Sequence, residues 1–257
     1  MSAVLNIDKL THDFGGLRAV SDFTLTMEAG ELVGLIGPNG AGKTTVFNLI
    51  TGVYRPTAGQ IQFDGTSLVG QKPHRIAEMG IARTFQTIRL YGDLTAVQNV
   101  ALGSQFRVKY GFIPAILHLP AFRKEEERIR QEAMELLTLF KLDNRATTMA
   151  RNLPYGEQRR LEICRALASN PKLVLLDEPA AGMNPQEVEA LMELIQWVHE
   201  KFKLTTLLIE HQMRVVMGIC PRIVAMDFGA IIARGTPKEI QGNQQVIEAY
   251  LGKEEVD

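Results

Sequence analysis

The chain has 257 residues, of which 46% are apolar and 22% are charged, the balance of an ordinary globular protein. Its 28 basic and 29 acidic residues leave a net charge of −1, so bulk charge gives no support for a nucleic-acid partner. No run approaches the roughly 18 apolar residues that a membrane-spanning helix requires, and the N-terminus lacks the pattern of a secretory signal. We therefore expect a cytoplasmic protein that binds no nucleic acid.

The opening of the chain is rich in strand patterns. Residues 23–27 carry apolar side chains at alternate positions, which is the period of a half-buried strand. Residues 61–63 alternate in the same way and end at Asp64-Gly65, a dipeptide typical of a tight hairpin. These patterns predict a strand-rich subdomain near the N-terminus.

A glycine-rich stretch follows the apolar run 32–36 and precedes a segment that can form a helix. It reads G-x-x-x-x-G-K-T and consists of Gly37, Pro38, Asn39, Gly40, Ala41, Gly42, Lys43 and Thr44. In a strand–loop–helix setting, such glycines let backbone N–H groups turn toward phosphate oxygens. Lys43 would reach the β- and γ-phosphates, and the Thr44 hydroxyl would hold Mg²⁺. We assign this stretch and Thr45 to nucleotide binding; the alternative is a glycine-rich turn that happens to carry a lysine.

The pattern becomes helical after residue 87. Apolar side chains recur at helical spacing at Ile129, Ala133, Leu136, Leu137 and Phe140. Before this helix, an apolar stretch interrupted by proline covers residues 106–122. It could meet a membrane partner or pack on neighbouring helices, and a short apolar run does not choose between the two.

Strand patterns return near residue 172. The apolar run 173–176 is typical of a parallel strand buried on both faces, and it ends in Asp177-Glu178. Beside a phosphate loop, Asp177 would hold Mg²⁺ and Glu178 would polarise an attacking water. The alternative is an acidic surface turn at the end of a strand. His211 follows the next buried strand pattern, which would bring its imidazole near the γ-phosphate.

Alternating strands and helices on either side of a helical segment predict an α/β fold. The phosphate loop resembles that of P-loop NTPases, and this resemblance implies a RecA-like core with an N-terminal antiparallel β subdomain and an inserted α-helical subdomain. Residues 1–86 would form the β subdomain and the first part of the core, 87–165 the helical subdomain, and 166–257 the second part of the core with a C-terminal helix. All belong to one ATPase domain, 1–257. Gln86 falls where core gives way to helices, so its amide can contact Mg²⁺ or water.

These residues together resemble the ATP-binding cassette (ABC) family along essentially the whole chain. In that family the phosphate loop is the Walker A motif, Gln86 lies in the Q-loop, and Asp177 ends the Walker B strand. Glu178 matches the catalytic glutamate and His211 the switch histidine. The resemblance implies that the chain binds ATP with Mg²⁺ and hydrolyses it. It also implies that Phe14 is the aromatic residue that stacks on adenine.

The family signature falls at Leu153, Pro154, Tyr155, Gly156 and Glu157, and it departs from the usual Leu-Ser-Gly-Gly-Gln. Pro154 lacks the hydroxyl that would bind the γ-phosphate, and Tyr155 replaces a glycine that approaches the nucleotide closely. In this family two cassettes face head to tail, and each signature completes the partner's phosphate loop. This chain therefore resembles a cassette with a complete Walker side and a weakened signature. We expect its partner to be a different cassette with an intact signature.

Segments 84–86, 153–163, 178–185 and 249–252 resemble the larger ATP-binding subunit of bacterial branched-chain amino-acid importers. That resemblance implies a second ATPase subunit, two transmembrane permease subunits and, indirectly, a periplasmic or lipoprotein substrate-binding protein. The chain would lie in the cytoplasm, peripheral on the inner face of the cell membrane. The alternatives are a urea or amide importer ATPase, a lipopolysaccharide-type export ATPase, and a regulatory cassette without a transport role.

Overall fold

The computed structural model describes residues 3–108 and 120–251. The chain divides into two compact units, one formed by Met1–Arg83 with Lys172–Asp257 and the other by Thr84–Pro171. Most of the apolar stretch 106–122 lies outside the described residues, so both interpretations of it stay predictions.

Within the described residues the first unit contains ten strands in two sheets. In chain order they are β1 (Ala3–Phe14), β2 (Leu17–Glu28), β3 (Leu32–Ile36), β4 (Ala58–Phe63), β5 (Thr66–Ser67), β6 (Ile81–Arg83), β7 (Leu173–Asp177), β8 (Thr205–Ile209), β9 (Arg222–Asp227) and β10 (Ala230–Gly235). The first sheet has the order β2-β1-β4-β5 and is antiparallel throughout. Its existence confirms the predicted antiparallel subdomain, and the hairpin at Asp64-Gly65 joins β4 to β5 as expected.

The second sheet has the order β10-β9-β3-β8-β7-β6. Its strands are parallel except β10, which pairs antiparallel with β9. Strands β3, β7 and β8 are buried along their whole length, which explains why their sequences are apolar apart from Thr205, Thr206 and Asp177. Because parallel strands end at the same edge of a sheet, the segments that follow these three strands lie at one edge. Strands β7 and β8 are neighbours and pair in parallel.

The described part of the first unit contains six helices: α1 (Lys43–Ile50), α2 (Pro73–Glu78), α6 (Pro185–Phe202), α7 (Met213–Ile219), α8 (Pro237–Gln241) and α9 (Gln244–Leu251). Helix α6 begins where the sequence indicates. The Asn184 side chain accepts hydrogen bonds from the backbone N–H groups of Gln186 and Glu187, and the Glu187 carboxylate accepts one from the Asn184 N–H. This capping box satisfies donors that the first turn leaves unpaired.

The second unit is helical in its described part, with α3 (Ala96–Gly103), α4 (Pro120–Leu139), α5 (Tyr155–Ala168) and short 3₁₀ turns at Gln105–Arg107, Asp143–Arg145 and Ala150–Asn152. The predicted apolar side chains lie on α4, except Phe140, which follows its last residue. Leu136 is half-buried, and Ile129, Ala133, Leu137 and Phe140 are buried. Residue 165, where the sequence interpretation ended this subdomain, lies inside α5, and the compact unit continues to Pro171. Among the described helices none combines the length and apolar character needed to cross a membrane.

Candidate functional site

The glycine-rich loop leaves β3 near the middle of the parallel sheet and leads directly into α1. Gly37 has φ 152° and Gly42 has φ 100°, backbone conformations that other residues rarely adopt. A β-carbon on Gly37 would collide with the Met226 carbonyl oxygen, and one on Gly42 with that of Ala19. The loop therefore requires glycine at both positions, and it leads into the N-terminus of α1, the end of a helix that favours an anion.

Lys43 is the buried cation of this loop. Its Nζ donates to the carbonyl oxygens of Gly37 (2.6 Å) and Pro38 (3.0 Å), and only 5% of the residue is exposed. The side chain is thus folded back over the loop that it follows. A buried ammonium beside backbone N–H groups is suited to a phosphate, which would offer it negatively charged acceptors.

A cavity of about 270 Å³ opens around the loop. Its lining residues all belong to the first unit: Leu17, Arg18, Ala19, Asn39, Gly40, Ala41, Gly42, Lys43, Thr44, Thr45, Glu178, Phe228 and Gly229. The loop residues and Glu178 were singled out from the sequence. The residues from β2 and from the β9–β10 turn were not, because no local pattern connects them with the loop.

Glu178 and His211 come together at the carboxyl ends of β7 and β8. The distance between His211 Nδ1 and Glu178 Oε2 is 3.5 Å, and about half of the imidazole is exposed to solvent. Glu178 has φ 45°, an uncommon conformation for a residue with a side chain, and its N–H donates to the Ile209 carbonyl at 2.9 Å. The strained turn directs a carboxylate to the cavity beside an imidazole, an arrangement that can accept and position a proton.

Asp177 ends β7 and forms a buried ion pair that no sequence pattern predicts. Arg83 Nη2 lies 2.7 Å from Asp177 Oδ2, and both side chains are at most 7% exposed. Arg83 Nη1 also donates to Asn48 Oδ1 at 2.8 Å and to Thr51 Oγ1 at 3.3 Å. Since Asn48 lies in α1 and Thr51 caps its end, one guanidinium connects the predicted magnesium ligand with the helix that follows the phosphate loop.

Glu210, next to His211, is a fully buried carboxylate that no sequence motif marks as functional. It accepts hydrogen bonds from the N–H groups of Ala180 (2.7 Å), His211 (3.2 Å) and Gln212 (3.4 Å). Burial raises the pKa of the Glu210 carboxyl, while N–H donation by Ala180 and Gln212 opposes that shift. The carboxylate therefore joins the loop after Glu178 to the loop that carries His211.

Phe14 ends β1, and 43% of the residue is exposed. Its ring stands edge-on to the rings of His12 (4.5 Å between centroids) and Tyr54 (5.2 Å). Its neighbour across the hairpin, Leu17, lines the cavity. The ring is accessible on the first unit, and its stacking on adenine stays a prediction.

Gln86 and the signature residues belong to the second unit, so the cavity of the first unit is lined without them. Arg159 of α5, fully buried, donates from Nη1 to the Phe85 carbonyl and from Nη2 to the Gln86 carbonyl, both at 2.8 Å. Arg159 also pairs with buried Glu162 at 2.7 Å. The backbone of the predicted Q-loop is therefore fixed to the helix that begins at the signature.

The signature itself spans the start of α5. Leu153 is buried, Pro154 is the extended residue before the helix, and Tyr155 is the first helical residue and 41% exposed. Half-buried Gly156 follows, and Glu157 pairs with Arg145 at 3.2 Å. Pro154 brings neither a hydroxyl nor a backbone N–H to this helix start, so it offers fewer donors to a phosphate than serine would.

The sequence matches a known protein family. The sequence profile of the family described as ABC transporter matches residues 20–181. The chain belongs to the ABC transporter family. As a cassette of this family it is an ATPase that binds nucleotide, which confirms the resemblance found in the sequence.

The C-terminal part of this cassette, residues 230–256, matches a second family, described as branched-chain amino acid ATP-binding cassette transporter. The high-affinity branched-chain amino acid transport ATP-binding protein BraF of Pseudomonas aeruginosa is 44% identical over 250 residues, covering 97% of this chain and 98% of BraF. The lipopolysaccharide export system ATP-binding protein LptB of Haemophilus influenzae is 34% identical over 252 residues, covering 98% of each chain.

Among solved structures, the ADP conformation of MJ1267, an ATP-binding cassette of an ABC transporter, has a TM-score of 0.85 with 28% identity. The alignment covers 98% of this chain and all of that chain. The match confirms the predicted α/β cassette fold over nearly the whole length.

The buried pair of Arg83 and Asp177 yields a stability prediction for the isolated cassette. Arg83→Met should lower the free energy of unfolding by about 3–5 kcal/mol, because it leaves a buried carboxylate without its guanidinium. Urea denaturation followed by circular dichroism measures this. Arg75→Met, which removes an exposed pair with Glu78, is the matched control and should cost less than about 1 kcal/mol. Equal losses in the two variants would contradict the assignment.

Proposed function

We propose that this chain is the ATP-hydrolysing subunit of a membrane importer for the branched-chain amino acids leucine, isoleucine and valine. The observation that carries the proposal is the match of residues 230–256 to the branched-chain amino acid cassette family, a segment separate from the general ATPase match. The 44% identity to BraF over nearly the whole length supports the same substrate class.

Within this cassette, residues Gly37–Thr45 would hold the triphosphate of ATP, with Lys43 moving from its present acceptors to phosphate oxygens. Glu178 would act as general base toward the attacking water, since it is the carboxylate that lines the same cavity. His211 would orient that water or the γ-phosphate from beside Glu178. Phe14 would stack on the adenine ring through its exposed face.

The residues proposed for Mg²⁺ are Thr44, Asp177 and Gln86. A hydroxyl, a carboxylate and an amide oxygen are hard oxygen donors of the kind that Mg²⁺ prefers, so the donor set fits the ion. When bound, Mg²⁺ neutralises charge on the β- and γ-phosphate oxygens. Gln86 is fixed to α5 through its backbone carbonyl, which accepts a hydrogen bond from Arg159, and we propose that the membrane subunits contact this helical unit.

We propose that the working complex contains a second ATPase subunit, two transmembrane permease subunits and, indirectly, a periplasmic or lipoprotein substrate-binding protein. The cassette would then lie on the cytoplasmic face of the cell membrane. A lipopolysaccharide export role is the second candidate and is favoured less, because the identity to LptB is 34% against 44% for BraF. A purely regulatory cassette would have no use for a carboxylate and an imidazole 3.5 Å apart beside the phosphate loop.

The signature leads to a further part of the proposal, namely that the second ATPase is a different cassette. Pro154 and Tyr155 weaken what this chain offers to its partner's nucleotide. The phosphate loop of this chain would therefore be closed by an intact signature of the partner, while the partner's loop would face the weakened one. One site would turn over rapidly and the other slowly.

The transport role is tested with the purified complex in proteoliposomes that contain ATP. Leucine-loaded binding protein outside should raise ATP turnover and produce leucine uptake. Uptake of urea or amides in place of leucine, or extraction of lipopolysaccharide without amino-acid uptake, would overturn the substrate assignment and leave the ATPase assignment intact.

Glu178→Gln should lower ATP turnover of the complex by about 10²–10⁴-fold, because an amide cannot take the proton of the water. ATP binding, measured by calorimetry, should be retained. Glu193→Gln changes an exposed glutamate on α6 and serves as the matched control, with turnover unchanged. Turnover of the Glu178 variant within a few fold of the wild type would rule out the general-base role.

The two-site asymmetry is tested by removing the phosphate-loop lysine from each cassette in turn. Lys43→Ala in this chain should abolish most of the ATP turnover of the complex, whereas the same change in the partner should remove little. Restoring serine at position 154 and glycine at position 155 should raise turnover at the partner's loop. Equal losses from the two lysine variants would show that the sites are equivalent.

A further inference from the structure

Phe228 is the most exposed of the large apolar residues in the described part of the chain, with 85% of its surface accessible. It occupies the turn between β9 and β10 with φ 43°, and Gly229 follows with φ 82°. A turn of this kind favours asparagine, aspartate or glycine, and a bulky side chain is unfavourable there. Neither turn geometry nor core packing accounts for a phenylalanine at this position.

The turn is held against the phosphate loop by backbone hydrogen bonds. The Gly229 N–H donates to the Ala41 carbonyl at 3.1 Å, and the Ser21 N–H donates to the Gly229 carbonyl at 2.9 Å. The Phe228 N–H donates to Asp227 Oδ1 at 3.0 Å. The ring is therefore carried by a turn whose position relative to the phosphate-binding amides is fixed from two sides.

The ring also lines the cavity that contains the loop, together with Leu17, which is 68% exposed. The cavity thus combines backbone N–H groups and a buried ammonium with two exposed apolar side chains. A ligand that matches both features has an anionic group joined to a flat apolar one, which describes a nucleotide.

We propose that Phe228 contacts the nucleoside part of the nucleotide held by the phosphate loop, as a binding residue additional to Phe14. The proposal rests on the function proposed above, since it takes ATP as the ligand. The exposed ring offers its face to a base or its edge to a ribose, and either contact is lost when the ring is removed.

The test uses the isolated cassette and calorimetric titration with ATP in the presence of Mg²⁺. Phe228→Ala should weaken ATP binding by about 5- to 100-fold, the range that loss of one aromatic stacking contact causes. Phe228→Tyr keeps the ring and should bind ATP within about twofold of the wild type. Ile247→Ala removes an exposed apolar side chain of α9 and should change nothing. Because Phe228 is exposed, the melting temperature without nucleotide should stay unchanged in all variants.

A second arm replaces ATP with inorganic tripolyphosphate, which has no nucleoside. Its binding should be the same in Phe228→Ala and in the wild type. Unchanged ATP affinity in Phe228→Ala, or an equal loss for both ligands, would overturn the proposal. Unchanged affinity combined with lower turnover of the complex would instead assign the ring to a protein interface. A wild-type chain that binds neither ligand would refute the nucleotide site itself, which is a separate result.

Discussion

The backbone of the phosphate loop passes two points where only glycine fits. Gly37 lies against the Met226 carbonyl and Gly42 against the Ala19 carbonyl, so a β-carbon at either position would displace main chain. Met226 belongs to β9 of the parallel sheet and Ala19 to β2 of the antiparallel sheet. The loop therefore packs against the main chain of both sheets. A backbone confined in this way needs little reorganisation to bind a phosphate.

Three carboxylates lie at the same sheet edge, and each has different interaction partners. Asp177 is paired with buried Arg83, and Glu210 is satisfied by three backbone N–H groups. Glu178 lines the cavity and has an imidazole 3.5 Å away. Burying like charges so close together would be costly without these separate partners. Glu178 therefore lines the cavity, while Arg83 connects Asp177 with α1 and Glu210 joins the loops that follow β7 and β8.

The sequence could predict those parts of the site that depend on local patterns, and not those that depend on contacts between residues distant in the chain. The positions of the phosphate loop, Glu178 and His211 at one sheet edge were predictable because each lies within two residues of the end of a buried parallel strand. Arg83 was not, because its partner Asp177 lies 94 residues further along the chain and no local pattern connects them. Phe228 lies in the hairpin between β9 and β10. Its place beside the phosphate loop depends on contacts that only the folded chain contains.

The unusual signature is part of a structured network in the second unit. Arg159, wholly buried, donates to the Gln86 carbonyl at 2.8 Å and to the Tyr155 hydroxyl at 3.4 Å, while Glu162 balances its charge. A buried arginine carries a large desolvation cost, which its carbonyl, hydroxyl and carboxylate partners offset. Tyr155 therefore supplies a contact to the Q-loop anchor that glycine cannot make. The departure from the family pattern exchanges a direct phosphate donor for a fixed link between the signature and Gln86.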